Sequence, residues 1–135
     1  MVNTKLKRDD LIYPELSYRI VGCAFEVFRQ IGSGHLEKHY QRALKITFDK
    51  NGLLNREQVC HEIKLEDKLI GKVYLDFVVD EKIVAEIKKD NKFSEANINQ
   101  VYNYLKTSGL KLGLIINFGW QEVKVKRIIN VDDNA

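Results

Sequence analysis

The sequence predicts an α/β protein built from three helices and about five strands. Two observations support this class. Apolar residues recur at helical spacing in three stretches, and they alternate or run continuously in five shorter stretches bounded by Gly, Asn or charged residues. Taken in chain order, these stretches give α-α-β-β-β-α-β-β.

The three helices are recognised by their spacing and by their end signals. Pro14 suits a first turn, Gly32-Ser33-Gly34 breaks the first helical pattern, and Ser94 can cap the third helix. The predicted helices run from Pro14 to Ile31, from His35 or Leu36 to Lys50, and from the Ser94 cap to Thr107.

The five strands differ in pattern. The fourth is almost continuously apolar, which is typical of a strand covered on both faces, whereas the first and the last alternate. The predicted strands are Gln58–Glu66, Leu69–Val79, Ile83–Lys88, Lys111–Phe118 and Gln121–Ile129.

The second and third strands place two acids and a lysine together. If residues 80–82 form a three-residue loop, Asp76 pairs with Glu86, about 5 Å apart at Cβ, and Lys88 lies one step further on the face of Glu86. Regular alternation puts Asp76 on one face with Tyr74 and Val78. Like charges side by side are destabilising unless a cation such as Mg²⁺ bridges them. A two-residue loop would pair Asp76 with Ala85 instead, and a solvated charged face is the plainer interpretation.

The second helix carries a further acid close to its apolar stripe. Glu37 lies three residues before Tyr40 and seven before Leu44, which predicts that it is on or beside the buried face. A buried carboxylate needs a partner or a cation. The alternative is a first-turn acid that interacts with the positive end of the helix dipole.

Length and composition define the class of protein. The 135 residues predict one domain over 1–135, with residues 1–10 as a loose polar arm. The formal net charge of +3 does not by itself diagnose a nucleic-acid partner. No apolar run has the roughly 18 residues of a membrane span, and no signal-peptide core follows Met1, so we expect a cytoplasmic protein without a membrane partner.

The element order, together with D-x₉-E-x-K at Asp76, Glu86 and Lys88, resembles the PD-(D/E)XK nuclease superfamily, although Leu75 replaces the proline of its name. Residues 34–40, G-H-L-E-K-H-Y, match the G-x-x-E-x-x-Y signature of the small GxxExxY family within that superfamily. Residues 103–119 are also similar to its C-terminal half. The resemblance covers about residues 10–130.

The resemblance implies a restriction-endonuclease-like core, in which a mixed sheet is flanked by helices and the acids gather near one end. It implies that Asp76 and Glu86 are metal ligands, that Lys88 is the lysine of the motif, and that Glu37 approaches the metal from a helix. Three further residues would support the site or contact nucleic acid: Tyr40 of the signature, and Gln100 and Tyr104, which match a Q-x-x-x-Y helix.

The expected function is that of a Mg²⁺- or Mn²⁺-dependent nuclease, acting on DNA rather than RNA. Lys88 would orient the attacking water and stabilise the transition state, and Glu37 would hold a water or a second ion. The alternative is an inactive nuclease fold that binds nucleic acid or a protein. A chain this small could need a second copy or a partner protein to hold its substrate.

Overall fold

The computed structural model describes residues 12–89 and 92–130. The predicted element order is confirmed, and the predicted arm over residues 1–10 lies outside the described residues. The helices are α1 (Pro14–Ile31), α2 (Glu37–Lys50) and α3 (Glu95–Ser108). The strands are β1 (Asn55–Leu65), β2 (Lys68–Val79), β3 (Ile83–Lys88), β4 (Leu112–Phe118) and β5 (Val123–Ile129).

The strands form one mixed sheet in the order β1-β2-β3-β4-β5. β3 and β4 are parallel, and the other three pairs are antiparallel. The parallel pair is joined through α3, as a crossover connection requires. The mixed sheet that the resemblance implied is therefore confirmed.

Each face of the sheet is covered by helix. One core cluster joins α1 and α2 to the sheet and includes Phe77, Val79 and Ile87. The other joins α3 to the opposite face and includes Leu75, Val78 and Val84. All seven residues of β4 are buried, in agreement with the prediction that both of its faces are covered.

Helix ends follow the sequence signals. The Ser94 side chain accepts a hydrogen bond from the Asn97 backbone N–H at the start of α3, and Gly109 ends that helix with a φ of 81°. No helix within residues 12–89 and 92–130 combines the length and the apolar character needed to cross a membrane.

Candidate active site

The β2–β3 hairpin has the predicted register. Val79 pairs with Ile83 and Phe77 with Ala85, so residues 80–82 form the loop. The next pair in this register is Asp76 and Glu86, where the regular ladder between the two strands ends. The two-residue loop, which would have paired Asp76 with Ala85, is excluded.

At this level, two backbone N–H groups donate to the carboxylates of Asp76 and Glu86 and not to a backbone carbonyl of the neighbouring strand. The Asp76 N–H donates to Glu86 Oε1 at 2.7 Å, and the Ile87 N–H donates to Asp76 Oδ2 at 2.8 Å. Each acid therefore binds the strand of the other. The carboxylates lie in the fork between β2 and β3, held in position by bonds that do not depend on a ligand.

Burial raises the pKa of both carboxyl groups. Burial and the negative charge of Asp76 raise the pKa of Glu86 to about 8, although the Asp76 amide and the Lys88 charge act in the opposite direction. The Asp76 pKa is also raised, chiefly by burial, against the Ile87 amide bond and the Lys88 charge. Without a cation, burial therefore favours the protonated form of Glu86 at neutral pH.

Lys88 lies at the same end of the sheet, on the last residue of β3. It pairs with Asn117 of β4 and is half-buried. Its Nζ makes no close ion pair with Asp76 or Glu86, yet its charge lowers the pKa of both carboxyl groups. The ammonium group is therefore near the acids and remains available to another anion.

The strand that carries Asp76 does not alternate regularly. Phe77 and Val79 face the α1–α2 core, whereas Leu75 faces the α3 core together with Val78. Along β2, the positions that face the α3 core thus change from odd to even numbers at Asp76. The prediction that Tyr74, Asp76 and Val78 share one face of a regular strand is wrong, because the strand is irregular where the carboxylates interrupt the ladder.

The neighbouring strand is irregular at the same level. Glu57 bonds to Gln41 of α2, whereas Val59, two residues later, packs against the α3 core. Between them Gln58 has a φ of 49°, in the left-handed region. Gln58 stands opposite Asp76, because Glu57 pairs with Phe77 and Val59 with Leu75.

Sequence reasoning did not identify Gln58 or Gln41 as members of this site. The Gln58 Nε2 lies 3.4 Å from Asp76 Oδ1 and 3.1 Å from Gln41 Oε1. In the sequence, Gln58 was assigned to the start of an alternating strand, and only the positive φ distinguishes it. Gln41 does have one sequence signal, since it lies one helical turn after Glu37.

Glu37 is exposed, so the partial burial expected of a residue on or beside the buried face is wrong, and its place in the first turn matches the alternative interpretation. It is the first residue of α2, and the buried stripe of that helix begins one turn later, at Tyr40. Its carboxylate makes no hydrogen bond or ion pair with residues 12–89 or 92–130. Through Gln41, one turn away, α2 is connected to Gln58 and then to Asp76.

Tyr40 and Gly34 have structural roles. The Tyr40 ring is 1% exposed and stacks on Phe118 at 4.2 Å between centroids. Its hydroxyl donates to the Gly32 carbonyl at 2.7 Å, and Gly34 has a φ of 88°. Tyr40 therefore anchors the start of α2, and its buried ring is not available to nucleic acid.

The Q-x-x-x-Y helix borders a groove between α3 and the β1–β2 hairpin. Gln100 lines this groove, whose volume is about 670 Å³. Tyr104 is 9% exposed and packs edge-on against His61 at 5.3 Å between centroids. The groove is lined mainly by polar side chains, among them Lys64, Asn99, Asn103 and Lys106.

The structure brings Asp76, Glu86 and Lys88 together and adds Gln58. In the part of the chain that the structure describes, no group of three or more His, Cys, Asp or Glu side chains could hold a metal ion. Glu37 is therefore not part of a three-acid cluster with the pair. The oxygens that the structure places in the fork are those of the Asp76 and Glu86 carboxylates, the type of ligand that Mg²⁺ and Mn²⁺ prefer.

Comparisons with known proteins concern the superfamily and the fold. The sequence model of the PD-(D/E)XK nuclease superfamily matches residues 14–128. The crystal structure of SSO0001 is similar in fold, with a TM-score of 0.55 at 18% identity, over 72% of this chain and 51% of that one. The chain thus spans about half the length of that protein. The search of curated proteins found no match.

Proposed function

Because the chain belongs to the PD-(D/E)XK nuclease superfamily, we propose that it hydrolyses phosphodiester bonds of DNA with Mg²⁺ or Mn²⁺ held by Asp76 and Glu86. The observation that carries this proposal is the pair of carboxylates in the strand fork, each bonded to a backbone amide of the opposite strand. A purely structural role would not require a buried Glu86 beside a second, half-buried acid whose charge raises the Glu86 pKa.

The donor set fits a hard divalent cation. A proton kept by Glu86 at neutral pH would be released on binding the ion, and the positive charge would balance both carboxylates. When bound, such an ion supplies positive charge at the scissile phosphate and activates water. The bonds from the Asp76 and Ile87 amides orient the carboxylates before the ion arrives.

Two further side chains complete the proposed mechanism. Lys88, close to the acids but without an ion pair to either, would orient the attacking water and stabilise charge on the phosphate. Glu37, exposed at the start of α2, would approach the ion from outside the sheet through an intervening water or a second ion.

We also propose that the chain belongs to the GxxExxY branch of the superfamily. Gly34 and Tyr40 of the signature build the turn that starts α2: one supplies a left-handed backbone, and the other supplies a hydroxyl that bonds to this turn. Glu37 is the signature residue without a contact of this kind, which favours a functional role.

The groove beside α3 is the surface where the substrate would bind. The side-chain amides of Asn99, Gln100 and Asn103 can bond to phosphate or base edges, and Lys106 adds positive charge. Further candidate phosphate contacts are the exposed lysines Lys89, Lys92 and Lys111.

A cleavage assay tests the proposed function. The purified protein should cut DNA, and RNA less efficiently, from a panel of single-stranded and duplex substrates when Mg²⁺ or Mn²⁺ is present, and EDTA should abolish cleavage. The Glu86→Gln variant is the control for a contaminating nuclease. Binding of the panel without cleavage by any metal-loaded sample would instead identify an inactive nuclease fold that binds nucleic acid.

Glu37→Gln should reduce the thermal stabilisation that Mg²⁺ gives, and it should lower cleavage. A saturating ligand at a hundredfold excess over Kd stabilises by about 2.7 kcal/mol, and weaker binding reduces this gain. A helix-dipole role would instead cost about 0.3–1 kcal/mol with or without metal. Melting curves with and without Mg²⁺ separate the two roles.

Glu15→Gln is the matched control, because Glu15 is the exposed first-turn acid of α1. It should show the dipole cost without a change in the Mg²⁺ response. If Glu37→Gln behaves like Glu15→Gln, then Glu37 is only a helix-start residue.

A further inference from the structure

Gln58 combines a strained backbone with contacts to the proposed metal site. Its φ of 49° places a residue with a full side chain in a region that glycine and asparagine tolerate better. Such outliers persist where the surrounding structure requires them, and they cluster at functional sites. Here the outlier stands opposite Asp76, at the level where the odd-numbered positions of both strands change from one face of the sheet to the other.

The Gln58 side chain connects a helix to an acid. Its Nε2 donates to Gln41 Oε1 at 3.1 Å and lies 3.4 Å from Asp76 Oδ1. Gln41 in turn donates from its own Nε2 to Glu57 Oε1 at 3.3 Å. The Asp76 contact is long for a hydrogen bond, so its effect depends on Gln41 holding the amide in place.

We propose that Gln58 and Gln41 are positioning residues that set the orientation of the Asp76 carboxylate for a divalent cation, an inference that rests on the proposed function. The Ile87 amide fixes Asp76 Oδ2, and the Gln58 amide restrains Oδ1. With both oxygens restrained, the carboxylate cannot rotate about its Cβ–Cγ bond when the cation binds. The left-handed backbone at Gln58 is what turns its side chain toward both partners.

The arrangement also connects the two halves of the proposed site. Gln41 lies one turn after Glu37 on α2, so the amide pair ties the helix that carries Glu37 to the strand that carries Asp76. Loss of Gln41 should therefore affect Asp76 only through Gln58. The losses of cation affinity caused by substituting Gln41 and Gln58 should not be additive, since residues that act in series show coupling in a double-mutant cycle.

Calorimetric titration with Mn²⁺, without nucleic acid, tests this proposal on four proteins: wild type, Gln58→Gly, Gln41→Ala and the double variant. Glycine accepts the positive φ, so Gln58→Gly removes the amide without disturbing the backbone. We expect its melting temperature to equal or exceed that of wild type and its Mn²⁺ affinity to fall about five- to tenfold. The Mn²⁺ affinity of Gln41→Ala should fall two- to fivefold, and the double variant should bind Mn²⁺ no more weakly than Gln58→Gly does.

Asp67→Gly is the matched control, because Asp67 has a φ of 67° in the β1–β2 turn. It should raise the melting temperature in the same way and leave Mn²⁺ affinity unchanged. Affinity of Gln58→Gly within twofold of wild type, or additive losses from the two glutamines, would overturn the positioning role alone. Absence of Mn²⁺ binding by the wild-type protein would overturn both this role and the proposed metal site.

Discussion

Glu86→Gln should abolish binding of Mg²⁺ and Mn²⁺ and, in metal-free buffer, raise the melting temperature. The amide keeps an oxygen that can accept the Asp76 N–H, a bond of 2.7 Å in the wild-type protein. It removes the charge whose burial beside Asp76 raises the Glu86 pKa from 4.5 to about 8. The variant therefore retains the structure of the fork without the cost that folding imposes on the ionisation of Glu86.

The pH dependence of this effect follows from the direction of the shift. A carboxyl group whose pKa is higher in the folded state stabilises the fold fully below its unfolded pKa, and this contribution is lost as the pH rises. Metal-free wild-type protein should thus lose stability between about pH 5 and pH 8, by on the order of 4 kcal/mol if the Glu86 shift from 4.5 to about 8 acts alone. Glu86→Gln should show a flatter profile.

Chemical denaturation at several pH values, in EDTA, measures this difference, and calorimetry with Mn²⁺ measures the loss of binding. Glu62→Gln, which changes an exposed acid of β1, should follow the wild-type profile. A marked loss of stability in Glu86→Gln at every pH would show that the carboxylate is a structural partner and not a metal ligand.

Lys88→Ala should remove cleavage while leaving metal affinity nearly intact. The ammonium group makes no ion pair with either acid, so its proposed action is on water and phosphate. Loss of one such charge-stabilising group typically lowers kcat by about 10²–10³-fold. Single-turnover cleavage, together with Mn²⁺ calorimetry on the same samples, separates the catalytic step from cation binding.

Lys82→Ala is the matched control, because Lys82 lies in the loop at the opposite end of the same hairpin and is exposed. It should cleave at the wild-type rate. If Lys88→Ala also cleaves within a few-fold of wild type, Lys88 has no part in the mechanism. If it fails to bind Mn²⁺, its role is in forming the cation site.

Much of the fold could be predicted, because its elements are periodic and their ends carry clear signals. Pro14 and Ser94 mark helix starts as expected, and β3 has its predicted bounds. The alignment of Asp76 with Glu86 was also predictable, because it follows from the length of one loop and the regular pairing of Val79 with Ile83.

The irregular part of the site could not be predicted in this way. Reasoning from alternation assumes a continuous ladder, whereas here carboxylates replace ladder bonds and Gln58 adopts a left-handed backbone. The exposure of Glu37 follows from its place in the first turn of α2, before the buried stripe begins at Tyr40, and helix boundaries are what a sequence pattern defines least well. The buried position of Tyr40 was predictable from the apolar stripe of α2, but its stacking on Phe118, far along the chain, was not.

At Gln58 and Asp76, the odd-numbered side chains of β1 and β2 change from one face of the sheet to the other, and this affects the specificity of folding. In a regular hairpin, a slip by two residues keeps every side chain on its original face and is resisted only weakly. In β1 and β2 the two irregular residues stand opposite each other, and a slip in either direction would separate them. Side chains next to Gln58 and Asp76 would then lie on the wrong face of the sheet. The irregularity therefore disfavours the shifted strand pairings that two regular strands could form.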